Sequence, residues 1–328
     1  MFDKTHNIDL NNEIPWTEKY RPTNLNEIVG QEKIKNSVKK LFDTQNMPHL
    51  LFYGPPGTGK TSAILSIAKK IYGKELIKDR IIILNASQER GIKVVREKIK
   101  SFASSTVSNN KDCPPYKIII LDEADTITND AQTALRRSME TYSEITRFCI
   151  ICNYVTRIID PITSRCAMYK FDIIEENNFT DKLIYICEKE NIKYNDSCLQ
   201  FIYKIAEGDL RKGISLLQYC SMLSNKNITK EDLLIVSGEI DDTIIQNFIS
   251  NEENFCFNKI QLFTKELLHQ GYSSDSILSS ILRVIRQNNQ INEITKAKIG
   301  ICIADSNKKM SNGSSEYLNL LNIFCNLI

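Results

Sequence analysis

No stretch of this sequence stays apolar for the roughly 20 residues that a membrane-spanning helix requires, so no membrane span is expected. The first residues, among them Asp3, Lys4, His6 and Asp9, lack the apolar segment of a signal peptide, and the protein is expected to be intracellular. Excess charge of one sign is also lacking. The 42 basic and 40 acidic side chains leave a net charge of +2, so any nucleic-acid surface has to be local. No internal repeat is evident. Ten cysteines are scattered, several within apolar runs, where buried thiols are expected rather than bridges. The one C-x-x-C spacing, Cys149 and Cys152, lies in a strand pattern whose odd separation puts the two side chains on opposite faces. A second ligand pair is missing, so no metal site is expected there.

What is present is an ordinary soluble composition, 42% apolar and 25% charged, in a chain of 328 residues that is long enough for two or three domains. The chain is organised around His49–Thr61, where an apolar run breaks into Gly54-Pro55-Pro56-Gly57-Thr58-Gly59-Lys60-Thr61 and then starts a helical pattern. Gly54, Gly59, Lys60 and Thr61 fill the fixed positions of G-x-x-x-x-G-K-[ST], whose backbone N–H groups surround a triphosphate. Glycines permit backbone conformations that a Cβ penalises, Lys60 can reach the β and γ phosphates, and the Thr61 hydroxyl can enter a Mg²⁺ shell. Ile64, Ile67, Ala68 and Ile71 then recur at helical spacing and Gly73 offers a C-cap, so the anion would sit at a helix N-terminus.

Upstream, Pro15-Trp16-Thr17-Glu18-Lys19-Tyr20-Arg21-Pro22 reads as an extended arm with a proline stop, and the plainest reading is that Trp16 and Tyr20 pack on the core. Strands are expected at 49–53, 81–85, 117–122, 147–153 and 168–172, and helices at about 60–72, 91–104 and 130–142. This alternation, with strands apolar at every position, predicts an α/β module: a parallel sheet with helices on both faces. After about residue 173 the pattern turns all-helical. It comprises a small three-helix unit and, beyond a boundary near 238–242, a second helical region. Domains are therefore expected at 1–172, 173–240 and 241–328. The apolar rows of the last region, from Phe248 to Ile285, exceed what a short bundle needs, and are either plain core or a packing surface for other subunits.

Candidate chemical residues fall at strand ends. Leu121-Asp122-Glu123-Ala124-Asp125 follows the strand Ile118–Leu121, where Asp122 would serve a metal and Glu123 an attacking water. Asn153 ends the next strand and would bond the γ-phosphate or position the water, although asparagines are also common in turns. Asn85 ends another strand in the same way and could hold Glu123 in a resting orientation. Arg165, after the turn at Asp160-Pro161, suits transition-state charge on phosphate and can be supplied in trans. Arg211, in Gly208-Asp209-Leu210-Arg211-Lys212, opens a helix of the small unit and could sense the γ-phosphate. Arg90, Lys93 and Arg96 start the helix after Asn85 and suit phosphate contact that ignores base sequence, or simply form a solvated face.

Several runs together carry a family resemblance: Trp16–Pro22, Gly54–Thr61, Leu84–Ile92, Leu121–Asp125, Ala134-Leu135-Arg136-Arg137-Ser138-Met139-Glu140, Ser164-Arg165-Cys166 and Gly208–Lys212. They resemble the ordered boxes of the small subunits of replication factor C, the eukaryotic sliding-clamp loader. The resemblance is specific through about residue 220 and weaker beyond. Within the family, the run Phe148–Pro161 is most similar to the subunit numbered two in one convention and four in another.

The resemblance implies an AAA+ ATPase module with a helical lid and a helical collar that joins five subunits in a nuclear hetero-pentamer. ATP and Mg²⁺ are the implied cofactors. Four other replication factor C subunits, the sliding clamp PCNA and primer–template DNA are the implied partners. Tyr20, Arg21, Pro22, Val29 and Gly30 would flank adenine and ribose, and Gly54 through Ser62 (Gly54, Pro55, Pro56, Gly57, Thr58, Gly59, Lys60, Thr61, Ser62) would hold the phosphates. Arg165 would act on a neighbour's ATP, Arg211 on the chain's own, and Asn85 would be a glutamate switch. Clamp contact would come from Ile99, Phe102 and Ala103. The family box Ser-Asp-Glu-Arg-Gly has Gln88 here in place of the acid, which bears on DNA coupling and leaves the ATP motifs intact. Ser138 in place of threonine is milder. Two other functions remain open on sequence alone: a ring subunit that binds ATP mainly as structural glue, and an AAA+ unfoldase or branch-migrating motor. A protein-threading motor generally carries an aromatic–apolar pore loop, and Asn85–Ile92 offers polar and basic groups instead.

Overall fold

The computed structural model describes residues 14–43, 47–86, 92–105, 113–224, 226–251, 256–288 and 291–327; the side chains at 41–43, 74–75 and 92–96 fall outside that description. Between Asn227 and Ile228 the chain divides into two compact units.

The first unit opens with α1 (Trp16–Lys19), a 3-10 turn (Leu25–Glu27) and α2 (Glu32–Asp43). Strands and helices then alternate: β1 (His49–Tyr53), α3 (Lys60–Arg80), β2 (Ile81–Asn85), α4 (Ile92–Ser104), β3 (Lys117–Asp122), α5 (Asn129–Thr141), β4 (Thr146–Cys152), α6 (Asp160–Thr163) and β5 (Cys166–Lys170). The five strands pair in parallel in the order β2-β3-β4-β1-β5. Side-chain alternation builds a core on each face. Leu50, Phe52, Ile118, Ile120 and Cys149 join Ile34 and Val38 of α2 and Ile64 and Ile67 of α3. Leu51, Ile119, Leu121, Phe148 and Cys152 join Ile99 of α4 and Leu135 and Met139 of α5. Cys149 and Cys152 thus lie on opposite faces as free thiols. Burial pushes the Cys152 thiol up to about 12 and Cys149 well above the usual thiol range.

Three boundaries differ from the sequence reading, each for a local reason. At Gly73 (φ 66°, ψ −175°) the regular helix breaks as its capping position predicts, but a second helical stretch carries α3 on to Arg80. The strand expected at 147–153 starts one residue earlier and ends at Cys152, leaving Asn153 just past the sheet. The last strand lies at 166–170 instead of 168–172, because its pairing with β1 starts at His49 opposite Cys166. Asp172 is drawn off by Gln31, whose Nε2 donates to the Asp172 carbonyl at 2.7 Å and whose Oε1 accepts from the Asp172 N–H at 3.3 Å.

The first unit closes with α7 (Glu176–Glu190), α8 (Asp196–Ala206) and α9 (Leu210–Leu223). Their buried faces meet through Phe179, Leu183 and Ile186, through Leu199 and Ile202, and through Ile214 and Leu217. The N-terminal arm packs on this helical layer, with Trp16 and Tyr20 half-buried against it. The Trp16 N–H donates to Gln218 Oε1 at 3.0 Å, and the Tyr20 hydroxyl donates to Glu190. Glu190 also pairs with Lys19 at 2.6 Å.

The second unit contains α10 (Lys230–Ser237), α11 (Asp242–Ser250), α12 (Phe257–His269), α13 (Ser274–Gln287), α14 (Glu293–Ser311) and α15 (Glu316–Asn326). Ile245, Phe248, Ile260, Ile277, Ile281, Ile299 and Phe324 are among the residues of its core. The apolar excess noted in the sequence is divided: Phe248, Leu267 and Ile285 are buried, whereas Phe257, Leu262 and Leu282 are exposed. Phe255 lies outside the described residues.

Candidate active site

The C-terminal ends of β1, β3 and β4 deliver three polar segments to one crevice, the usual place for a ligand in an open parallel sheet. After β1 the loop runs so close to its surroundings that side chains cannot be added. A Cβ at Gly54 would overlap the carbonyl oxygen of Phe171, and one at Gly57 would overlap the Asp209 carboxylate. Gly59 then caps α3, whose first-turn N–H groups and dipole favour an anion.

Lys60, 7% exposed, spends its ammonium on three acceptors: the carbonyls of Gly54 and Pro55, both at 2.7 Å, and Asn153 Oδ1 at 2.9 Å. Burial pushes its pKa down, and the Asp122 carboxylate works against that shift. Next along the helix, Thr61 Oγ1 donates to Asp122 Oδ2 at 2.8 Å, while the Glu123 N–H donates to Asp122 Oδ1 at 2.9 Å. Thr61 and Asp122 are hard oxygen donors of the kind Mg²⁺ takes, alongside water and phosphate oxygens. Among the described residues no cluster of three or more histidine, cysteine, aspartate or glutamate side chains is arranged to hold a metal, so an ion here would be completed by phosphate and water.

Glu123 is exposed and left-handed (φ 54°), an unusual conformation for glutamate, held because its carbonyl accepts from Thr126 N at 3.0 Å and Thr126 Oγ1 at 2.8 Å. Asp125, which the sequence reading left without a role, fixes the end of β4. Its Oδ2 accepts from the N–H groups of Asn153 and Tyr154, both at 3.2 Å. Asp125 therefore sets the strand end from which Asn153 reaches Lys60. The D-E-x-D spacing carried that signal, since its last acid lies beside the polar end of the next strand.

Of the residues expected at the nucleotide, Pro56 to Ser62, Asp122, Glu123, Asn153 and Arg211 line one cavity. Tyr20, Arg21, Pro22 and Val29, from the N-terminal arm side, line the same cavity. Gly54 and Pro55 stand behind the cavity as the carbonyl acceptors of Lys60, and Gly30 is not part of its wall. Asn85 sits opposite Asp122 in the β2–β3 register and is not part of the wall either. Arg211 follows Asp209, whose carboxylate caps α9 by accepting from the Lys212 N–H at 3.1 Å. Its charge adds to the downward shift of Lys60. Ile174, Lys182 and Ile214 also line the cavity, and no motif in the sequence marks them.

The remaining candidates lie elsewhere. Arg165 is outside the cavity, paired with Glu140 at 2.6 Å and donating to the Pro161 carbonyl at 2.8 Å. Ile99 and Ala103 are 3% and 0% exposed and belong to the core against Leu121 and Leu135. They therefore present no surface to a clamp, which corrects that expectation; Phe102, half-buried beside the Lys117 ammonium, is the one of the three with accessible surface. Arg90 and the side chains of Lys93 and Arg96 lie outside the described residues.

Comparison with known proteins matches three successive segments. Residues 50–171 match the ATPase family associated with various cellular activities (AAA), residues 181–222 the RCF1/5-like AAA+ ATPase lid domain, and residues 240–326 the replication factor C C-terminal domain. Replication factor C subunit 2 of Saccharomyces cerevisiae is 44% identical over 94% of this chain and 91% of its own length. Replication factor C subunit 4 of Homo sapiens is 42% identical over 94% and 86%. Among solved structures, the Thermotoga maritima RuvB Holliday junction branch migration motor superposes with a TM-score of 0.52 at 18% identity, over 70% of this chain and 79% of that one, a likeness of fold alone.

Proposed function

Because the chain belongs to the replication factor C subunit family of AAA+ ATPases, we propose that it works as one subunit of a five-chain nuclear ring that uses ATP to open the sliding clamp PCNA and load it onto primer–template DNA. Within the chain, 1–172 serves as the ATPase domain, 173–240 as the lid and 241–328 as the collar. The observation that carries the reading is the interlocked set Lys60–Asn153 and Thr61–Asp122, at 2.9 and 2.8 Å, at a helix N-terminus and next to the exposed Glu123.

In this reading the loop N–H groups and Lys60 hold the β and γ phosphates. Thr61 and Asp122 would hold Mg²⁺, which would supply charge neutralisation at the phosphates. Glu123 orients and deprotonates the attacking water, while Asn153 and Arg211 report on the γ-phosphate. Asn85 holds Glu123 at rest, and Arg165, presented by Glu140, serves the neighbouring subunit's ATP. Arg90, Lys93 and Arg96 contact the DNA backbone. Asn153 changes partner as nucleotide arrives, since its amide oxygen rests on the same ammonium that the phosphates would claim.

The test is co-expression with four related chains, followed by ATP turnover of the purified assembly. Co-purification of all five, and hydrolysis stimulated by clamp together with primer–template DNA, is the expected outcome. An assembly whose turnover ignores both clamp and DNA would overturn the proposal.

A further inference from the structure

Buried lysines in this fold are otherwise satisfied. Lys60 has three acceptors, Lys117 donates to the Phe102 and Ser105 carbonyls at 3.0 and 2.6 Å, and Lys35 pairs with Glu32 at 2.8 Å. Lys182, on lid helix α7, is the exception. It is half-buried in the wall of the ATP cavity, and its Nζ makes no hydrogen bond or ion pair with the described residues. Its nearest aromatic neighbour is Tyr185, whose ring centroid lies 4.9 Å from Nζ and which meets Tyr20 edge-on at 6.3 Å. Burial pushes its pKa down, and the one carboxylate that acts against this is Glu27. Glu27 is itself committed to the Thr23 N–H at 2.7 Å and Asn24 Nδ2 at 3.1 Å.

A partly desolvated ammonium whose one contact is the Tyr185 ring face, with no oxygen or nitrogen acceptor among the described residues, still has N–H groups to give. The tyrosine pair and the Glu27 segment place it beside the arm residues of the cavity wall. The nucleotide groups accessible there are the ribose oxygens, the ring nitrogens of the base and the oxygens nearest the sugar. We propose that Lys182 contacts the nucleotide at this base-and-ribose end, a second lid cation that grips ATP and ADP alike. Arg211, by contrast, enters beside Lys60 and discriminates between the two. The proposal rests on the reading of this cavity as an ATP site and deepens it: the lid holds nucleotide at two points, one blind to the γ-phosphate and one sensitive to it.

Titration calorimetry of the full-length chain with ATP and with ADP tests this. Lys182→Met and Lys182→Gln, both close to the lysine in length and monitored for folding by thermal melting, are expected to weaken ATP and ADP about tenfold each, the worth of one charged hydrogen bond. Lys182→Arg should restore most of the loss, and the ATP:ADP ratio should stay at the wild-type value, whereas Arg211→Ala should change it. Wild-type affinity in both Lys182 variants, while Lys60→Ala weakens binding, overturns the proposal and leaves the site intact. Loss of ATP affinity alone overturns it too, by placing Lys182 at the γ-phosphate. Unaltered binding in Lys60→Ala overturns the ATP-site reading itself, and this proposal with it.

Discussion

At the phosphate end of the cavity, Lys60, Thr61 and Asp122 are held by neighbours in the α/β layer, and their bonds tie the start of α3 to the loop after β1 and to the ends of β3 and β4. At the other end the wall is made by an arm and a lid helix whose joining residues, Tyr20 and Glu190, lie 170 positions apart. The first end is interlocked, because its side chains already hold one another at the N-terminus of α3. The second is assembled, because it exists only while the arm stays on the lid. In the proposed reading the interlocked end would set the rate of chemistry, and the assembled end how long nucleotide stays.

Five measurements would break or sharpen that contrast. Arg165→Ala, outside both ends, should lower hydrolysis at the neighbouring subunit's site on the order of 10³-fold in the assembled ring, with this chain's own nucleotide affinity unchanged. Glu123→Gln should lower turnover at this chain's site on the order of 10²-fold and leave ATP binding intact, since the exposed carboxylate takes part in none of the bonds that hold the loop. Lys60→Ala should weaken ATP by up to about 100-fold, read by calorimetry, because three charge-assisted bonds disappear from the phosphate end.

At the assembled end, Glu190→Gln should cost about 1 kcal/mol and raise KM a few-fold at unchanged kcat. Burial raises the Glu190 carboxyl, and the Lys19 and Tyr20 bonds more than offset that, so the pair is worth breaking in a cycle with Tyr20→Phe, where non-additivity measures the latch. An effect of similar size concerns the start of β1. His49 Nδ1 accepts from the Phe148 N–H at 3.1 Å, and burial, helped by Arg147, holds its pKa down to about 4. The unfolded chain binds this proton near 6.5, so the contribution of His49 is complete above that pH, declines as pH falls, and is lost once pH passes 4. Allowing for its partial exposure, about 1–2 kcal/mol is expected, and a melting-temperature profile that flattens between those values in His49→Gln would verify it.

The phosphate end was legible in the sequence because each of its residues closes a strand or opens a helix, so a short motif fixes both identity and place. Lys60, Thr61, Asp122, Glu123 and Asn153 converge for that reason. The arm end was legible in part. Tyr20, Arg21 and Pro22 follow from family resemblance, yet nothing local in the sequence says that Tyr20 meets Glu190 or that Lys182 turns inward, because both depend on how α7 and α9 pack. Burial misled in the other direction at Ile99 and Ala103. Their helical spacing reads equally well as a binding stripe or a core stripe, and the sheet claimed them.

The contrast between the two ends is tested most directly by steady-state ATP hydrolysis of the assembled ring, with kcat and KM resolved for Glu123→Gln, Glu190→Gln and the double variant. A site whose ends divide chemistry from retention gives a fall in kcat alone, a rise in KM alone, and both together in the double variant, with the two effects multiplying. If Glu190→Gln lowers kcat as Glu123→Gln does, or if the double variant is no worse than one single variant in both parameters, the two ends act as one unit and the division is wrong.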